Sequence, residues 1–127
     1  MLTNETPESA QLSKGEDFSF IFLVDRSGSM GGTRIEITKE ALKLFIQSLP
    51  VGSKFGVLSF GGKSEWCKRK NGRTCWEYND QTMKEIIGLI GEFQANFGGT
   101  NILEPLQLAV KENFNTPNKR IFLLTDG

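Results

Sequence analysis

The chain has 127 residues, of which 38% are hydrophobic and 24% charged, a composition typical of one soluble globular domain. Fifteen basic residues balance fifteen acidic ones, so the overall charge indicates neither a nucleic acid nor an anionic membrane as a partner. The chain contains no histidine, which excludes Ser–His and Cys–His catalytic groups and imidazole metal ligands within it.

The N-terminal stretch, residues 1–17, is polar and lacks periodicity. This composition predicts a tail or linker ahead of a single domain at 18–127. The stretch lacks the basic and apolar regions of a secretory signal peptide, and no apolar run in the chain approaches the roughly 20 residues that span a bilayer. We therefore expect a cytoplasmic protein without a membrane span.

Apolar runs after this stretch predict the strands of a sheet. Near-continuous runs at Phe18–Val24, Lys54–Phe60 and Arg120–Thr125 are typical of strands covered on both faces. A shorter run at Thr74–Tyr78 predicts an edge strand. The polar, glycine-punctuated stretch Gly61–Gly72 before it predicts a loop.

Helical periodicity appears between these strands. A first helix is expected from Thr33 to the break at Pro50, a second is capped by Asn79 or Asp80, and a third follows the turn at Gly98–Asn101. Apolar or small residues recur at helical spacing in all three: Ile37, Ala41, Leu44, Phe45 and Ser48 in the first, Met83, Ile86, Ile87, Ile90 and Phe93 in the second, and Leu103, Leu106, Val110 and Phe114, the predicted inner face, in the third. The alternation of strands and helices predicts an α/β fold with a doubly wound, mostly parallel sheet.

Two of the predicted strands end in an aspartate, Asp25 and Asp126. Polar residues just past the carboxyl ends of strands gather at the crevice where open α/β sheets bind ligands. Ser27 and Ser29 follow Asp25 at two-residue spacing, and Thr100 follows a Gly–Gly turn. Two carboxylates and three hydroxyls are typical ligands for Mg²⁺, with Mn²⁺ or Ca²⁺ as alternatives. The dication would also offset the repulsion between the two carboxylates.

Three separated motifs resemble the von Willebrand factor A (vWA) domain and its metal-ion-dependent adhesion site (MIDAS). They are Asp25-x-Ser27-x-Ser29, Gly99-Thr100 and Thr125-Asp126-Gly127, and the resemblance covers about residues 18–127. It implies a Rossmann-like fold in which Asp25, Ser27, Ser29, Thr100 and Asp126 hold the ion directly or through water. It further implies that a partner protein supplies an Asp or Glu carboxylate to an open coordination position.

The resemblance also implies a longer sheet than this chain provides. The sheet of the family has six strands in the order 3-2-1-4-5-6, and the predicted strands supply only 3-2-1-4. Arg120–Thr125 is therefore expected at an exposed, apolar edge. We expect a larger parent chain that carries the missing half. A truncated, non-functional fragment is the alternative.

An enzyme is a further alternative for the same residues. An aspartate at a strand end also serves as the nucleophile in magnesium-dependent aspartyl-phosphate phosphotransferases. Those enzymes carry Asp-x-Asp at this point, whereas Ser27 stands here in place of the second acid. We therefore expect a binding module rather than an enzyme.

A basic stretch separates the two cysteines, Cys67 and Cys75. Either a disulfide across a hairpin or two free thiols is compatible with this spacing. The stretch and its flanks contain the basic residues Lys63, Lys68, Arg69, Lys70 and Arg73 and the aromatic residues Trp66 and Trp76. Such a set suits either an acidic partner or a solvated loop tip.

Overall fold

A computed structural model describes residues 17–112 and 114–125 as a sheet covered by helices on both faces. The elements in chain order are β1 (Phe18–Asp25), α1 (Thr33–Gln47), β2 (Lys54–Phe60), β3 (Ser64–Trp66), β4 (Trp76–Glu77), α2 (Asp80–Gly91), α3 (Leu103–Lys111) and β5 (Asn118–Leu124). The predicted tail lies outside the described residues except for Asp17. None of the helices in the described part is long and apolar enough to cross a membrane.

The sheet is mostly parallel, and the predicted α/β class is confirmed. The strand order is β3-β2-β1-β5, with β4 also paired to β2. β1 is parallel to both β2 and β5, whereas β3 and β4 are antiparallel to β2. The predicted order 3-2-1-4, in which the predicted strands are numbered along the chain, is confirmed: β3 and β4 together take the place of predicted strand 3, and β5 is predicted strand 4.

The edge beside β2 differs from the prediction in detail. The stretch Gly61–Gly72, predicted as a loop, contains β3, and the predicted strand Thr74–Tyr78 shortens to the two residues of β4. β3 pairs with the C-terminal end of β2 and β4 with its N-terminal end. An edge strand with one solvated face tolerates polar residues such as Ser64 and Glu65. For this reason the sequence of β3 was predicted to be a loop.

β1 lies at the centre of two hydrophobic layers. Phe22 and Val24 face one side, where they pack with α1 and α2, and Ile21 and Leu23 face the other side, where Ala109 of α3 covers them. All four side chains are essentially inaccessible to solvent. Because successive side chains of a strand alternate between faces, a continuous apolar run is what a strand covered on both sides requires.

The helical stripe predicted for the first helix is not the one that packs into the core. α1 buries Leu42 and Ile46, whereas Ile37, Leu44 and Phe45 are exposed, Leu44 by 65%. α1 carries apolar residues on two faces, and both sets have helical spacing. Periodicity alone therefore could not select the face that contacts the sheet.

The inner face predicted for the third helix is also wrong. Leu103, Leu106 and Val110 are exposed, Val110 by 68%, and the buried residues of α3 are Pro105 and Ala109. The small side chain of Ala109 lets the helix lie close to β1 and β2, a preference that hydrophobicity does not reveal. Of the predicted set only Phe114 is buried, and it lies beyond the end of the helix.

The start of α2 agrees with the prediction. Asn79 is the N-cap, its side chain accepts a hydrogen bond from the backbone N–H of Thr82, and the Thr82 hydroxyl accepts one from the N–H of Asn79. This reciprocal capping box satisfies two donors at the helix terminus. It fixes where α2 begins relative to β4.

The outer edge of β5 is apolar and open, as predicted, but the prediction that this strand is covered on both faces is wrong. Ile121, Phe122 and Leu123 are all exposed by more than a third of their surface, and within the described residues β5 pairs only with β1. Phe45 of α1 stacks on Phe122 with ring centroids 5.9 Å apart. The exposed apolar faces of α1 and β5 therefore form one continuous surface on that side of the sheet.

Candidate functional site

Asp25 ends β1 at the carboxyl edge of the sheet and is the centre of the candidate site. Its side chain is buried, and the chain then runs through an extended Ser27 into a short 3-10 turn at Gly28–Met30. Met30 is buried and anchors this turn in the core. Ser29 is exposed, so the turn presents one hydroxyl to solvent above a buried acid.

Two hydroxyl groups donate to the Asp25 carboxylate, and a third lies beside one of them. Asp25 Oδ1 accepts hydrogen bonds from the backbone N–H of Ser27 at 2.9 Å and from Ser27 Oγ at 2.6 Å. Ser27 Oγ lies 3.2 Å from Ser29 Oγ, and Asp25 Oδ2 accepts a hydrogen bond from Thr125 Oγ1 at 2.6 Å. The structure thus brings together Asp25, Ser27 and Ser29, three of the five predicted ligands.

Thr125 contacts Asp25, a role that was not predicted from the sequence although Thr125 belongs to the third motif. The parallel register pairs Val24 with Leu124, so Asp25 and Thr125 leave the sheet side by side. That register was the missing signal, because the sequence does not fix it. Asp126, the second predicted carboxylate, follows Thr125 but lies outside the described residues.

The loop that carries Thr100 is bonded to the loop that carries Asp25. Gly28 N–H donates to the carbonyl of Gly98 at 2.8 Å, and Phe97 N–H donates to the carbonyl of Arg26 at 3.0 Å. Thr100 follows two residues after Gly98 and is exposed. The second predicted segment, with Thr100, therefore meets the first, while the role of Thr100 as a metal ligand stays a prediction.

Gly61, just after β2, permits this close approach. A Cβ at this position would lie 2.5 Å from the Cβ of Phe97 and 3.0 Å from the carbonyl oxygen of Gly99. The carbonyl of Gly61 also accepts a hydrogen bond from the N–H of Asn101 at 2.8 Å. Any larger residue would push the Thr100 loop away from the sheet.

Arg26 joins the same loops through its side chain, a role that its place in the motif did not reveal. Its guanidinium lies between the rings of Phe93 and Phe97, 4.4 Å and 4.3 Å from their centroids. It donates hydrogen bonds to the carbonyl of Gln94, to Asn96 Oδ1 and to Ser59 Oγ. Burial lowers the pKa of Arg26, opposed by Glu65 and Cys67. The guanidinium nevertheless stays charged, since its ordinary pKa is far above neutral.

The two cysteines are free thiols, and the disulfide that the sequence left open is absent. Cys67 packs against the core shared with α1 and α2, whereas Cys75 packs against the core on the α3 side. The thiols thus lie on opposite faces of the sheet. Burial raises the pKa of both thiols, that of Cys67 to about 11.

Iodoacetamide should alkylate Cys67 slowly in the folded chain at pH 8. Only the thiolate is reactive, and a pKa of about 11 instead of 9.0 lowers its fraction roughly 100-fold. The rate measured on a Cys75→Ser variant, which leaves Cys67 as the single thiol, should rise as the pH is raised towards 11 and should rise strongly in urea. Equal rates in the folded and unfolded chain would contradict the buried placement.

The donor atoms of the site favour a hard dication over zinc. All of them are carboxylate or hydroxyl oxygens, and no group of three His, Cys, Asp or Glu side chains lies together among residues 17–112 and 114–125. Hydroxyl ligands with a few carboxylates suit Mg²⁺, whereas zinc takes nitrogen and sulfur. The residues present therefore fit the predicted ion type, with Asp25 as the one acid described.

Comparison with known proteins identifies the fold family. The family model described as von Willebrand factor type A domain matches residues 20–127. The chain belongs to the von Willebrand factor A domain family. The resemblance seen in the three motifs is thereby confirmed at the level of the family.

Curated vWA relatives are several times longer than this chain. A vWA domain-containing protein of Dictyostelium discoideum is 38% identical over 129 residues, which is 98% of this chain and 14% of the relative. The human von Willebrand factor A domain-containing protein 5A is 39% identical over 119 residues, covering 85% of this chain and 14% of its own length. The chain thus spans about one seventh of these relatives.

Solved structures agree with the fold. A von Willebrand factor type A protein from Catenulispora acidiphila superposes with a TM-score of 0.67 at 26% identity, covering 73% of this chain and 22% of that one. The protein BatB from Bacteroides thetaiotaomicron gives 0.65 at 17% identity, covering 87% and 56%. The second likeness concerns the fold alone.

Proposed function

We propose that this vWA domain is a metal-dependent protein-binding module, in which a divalent cation bridges Asp25 and its neighbouring hydroxyls to an acidic group of a partner. The observation that carries the proposal is the arrangement at the end of β1. A buried carboxylate lies within hydrogen-bond distance of the Ser27 and Thr125 hydroxyls, with the exposed Ser29 hydroxyl 3.2 Å from that of Ser27. These oxygens belong to segments that are far apart in the sequence.

Asp25, Ser27 and Ser29 are the proposed anchors, with Thr100 and Asp126 completing the set directly or through water. When bound, Mg²⁺ would offset the negative charge of the site and leave a coordination position for an outside oxygen. The hydroxyls of Ser27 and Ser29 are neutral ligands, so they would not cancel the positive charge of a bound Mg²⁺. An Asp or Glu side chain of a partner protein is the ligand that such a site favours.

The residue two positions after Asp25 favours binding over phosphoryl transfer. Both oxygens of the buried Asp25 carboxylate accept short hydrogen bonds, from Ser27 and from Thr125, which hold the side chain in place and leave lone pairs for a cation. Ser27 occupies the position at which the phosphotransferases carry their second acid.

A larger parent chain is part of the proposal. The chain matches relatives of which it spans about 14%. The open edge of β5 and the exposed Leu106 and Val110 of α3 are surfaces that further strands and helices of such a parent would cover. The partner-binding role is therefore proposed for the domain within a longer protein.

Mn²⁺ is the probe that tests the proposal, because its paramagnetism reports on bound water. Mn²⁺ added to the chain should increase water proton relaxation, and Mg²⁺ should reverse the increase by competition. Adding acetate, a minimal carboxylate ligand, should then lower the relaxation as it displaces water from the open position. Absence of Mn²⁺ binding would refute the metal site. Bound Mn²⁺ that is insensitive to carboxylates would refute the bridging role.

A further inference from the structure

A groove lies on the outer side of α2, against the loop that follows β3, away from the Asp25 site. It encloses about 410 Å³ and is lined by Lys68, Lys70, Lys84, Glu85, Gly88 and Leu89. A Cβ at Gly88 would meet no atom within 4 Å, so this glycine leaves room in the groove. Leu89 is a partly exposed apolar side chain, and the aliphatic stems of the lysines extend the apolar lining.

The loop that carries two of these lysines is an ordered structure. Arg69 N–H donates to the carbonyl of Arg73, and Gly72 N–H donates to the carbonyl of Arg69, both at 2.8 Å. Trp76 Nε1 donates to the carbonyl of Cys67 at 3.0 Å, which ties the loop to β4. Binding of a ligand would therefore cost little conformational entropy in this loop, because the loop is already ordered.

The charge of this region is strongly asymmetric. Residues 61–76 contain five basic residues and a single acid, Glu65, in a chain whose formal net charge is zero. Among the described residues the side-chain ion pairs lie on α1, at Lys39–Glu36 and Lys43–Glu40. Lys68, Lys70 and Lys84 thus keep their charge available around the apolar lining.

We propose that this groove binds an acidic peptide segment of a partner protein, in which one apolar side chain is flanked by Asp or Glu residues. The apolar residue fits over Gly88 and Leu89, and the flanking carboxylates pair with the three lysines. The groove adjoins a second cavity of about 290 Å³ that shares Lys68 and Leu89 and reaches Arg26. The inference needs no metal ion and so does not depend on the proposed function.

A peptide explains the groove better than a nucleic acid does. Trp76 is fully buried and cannot stack on bases, and the ring of Trp66 is already packed on Phe114 with ring centroids 6.4 Å apart. An apolar lining adds nothing to phosphate binding, whereas it contributes to binding a peptide side chain.

Fluorescence anisotropy with a labelled peptide, Glu-Glu-Leu-Glu-Glu, tests the proposal on the full chain. EDTA is included, so that any effect of the Asp25 site is removed and the two proposals fail independently. The peptide should bind, and its Gln-Gln-Leu-Gln-Gln counterpart should bind at least tenfold more weakly. An oligonucleotide of similar charge that binds more tightly than the acidic peptide would overturn the proposal in favour of a polyanion site.

Substitutions then locate the bound peptide. Lys68→Glu combined with Lys84→Glu should weaken binding at least tenfold, whereas Lys111→Glu on α3, which is exposed and far from the groove, should change it less than twofold. Gly88→Leu leaves the charge unchanged, fills the groove and favours the helix, and it should weaken binding at least fivefold. Unchanged affinity in the double variant or in Gly88→Leu, with circular dichroism like that of the unaltered chain, would overturn the proposal.

Discussion

Thermal unfolding of the Asp25→Asn variant should not respond to Mg²⁺, whereas the unaltered chain should be stabilised by it. At a Mg²⁺ concentration 100 times the dissociation constant, binding stabilises the folded state by about 2.7 kcal/mol. In a domain of this size that stabilisation corresponds to a rise in Tm of roughly 10 °C. Loss of this shift is among the largest effects that a single substitution should produce in this chain.

The physical reason is that asparagine keeps the shape of the site but not its charge. Its carbonyl oxygen can still accept hydrogen bonds from Ser27, and its amide can donate to Thr125 Oγ1, so the fold is preserved. Without metal, the unfolding temperature should change little. The attraction for a dication falls sharply, because Asp25 is the one acid described at the site.

Asp80→Asn is the matched control for this experiment. It removes the same charge from the exposed first turn of α2, where the cost is limited to about 0.3–1 kcal/mol of favourable interaction with the helix dipole. The Mg²⁺ response of this variant should equal that of the unaltered chain. An Asp25→Asn variant that retains the full Mg²⁺ shift would show that Asp25 is not a ligand.

The strands of the sheet could be predicted from sequence because β1, β2 and β5 each carry a mostly apolar run. The exposed edge strand β3 could not, since one solvated face and a length of three residues leave no pattern to detect. The faces of α1 and α3 were chosen wrongly for a related reason. Each helix carries apolar residues on a face that the described residues leave uncovered, such as Leu44 and Val110.

The local part of the site could be predicted, and its long-range part could not. Asp25, Ser27 and Ser29 lie within five residues, and their spacing in a tight turn forces the side chains together. The contact with Thr125 depends on the register between β1 and β5, and the position of the Thr100 loop depends on how Gly61 and Arg26 pack. Such contacts join residues far apart in the chain, and one sequence does not specify them.

Arg26→Ala should destabilise the fold and, separately, weaken metal binding at the neighbouring site. The guanidinium makes two ring contacts and three hydrogen bonds, which together are expected to contribute about 2–4 kcal/mol to the free energy of unfolding. The loop of residues 93–97 would lose its side-chain contacts with Arg26 and keep only the backbone bond from Phe97 N–H to the Arg26 carbonyl, so the position of the Thr100 loop would be less fixed. Urea unfolding measures the first effect.

Metal titration under conditions where the variant is folded separates positioning from simple loss of stability. We expect Arg26→Ala to lower the affinity for Mn²⁺ at least tenfold, although Arg26 donates none of its hydrogen bonds to Asp25, Ser27 or Ser29. Arg26→Lys retains the charge over Phe93 and Phe97 but loses the planar, multi-donor geometry, and should recover part of the affinity. Arg120→Ala on β5 should leave the affinity unchanged. If Arg26→Ala binds Mn²⁺ as tightly as the unaltered chain, then Arg26 stabilises the domain without positioning its site.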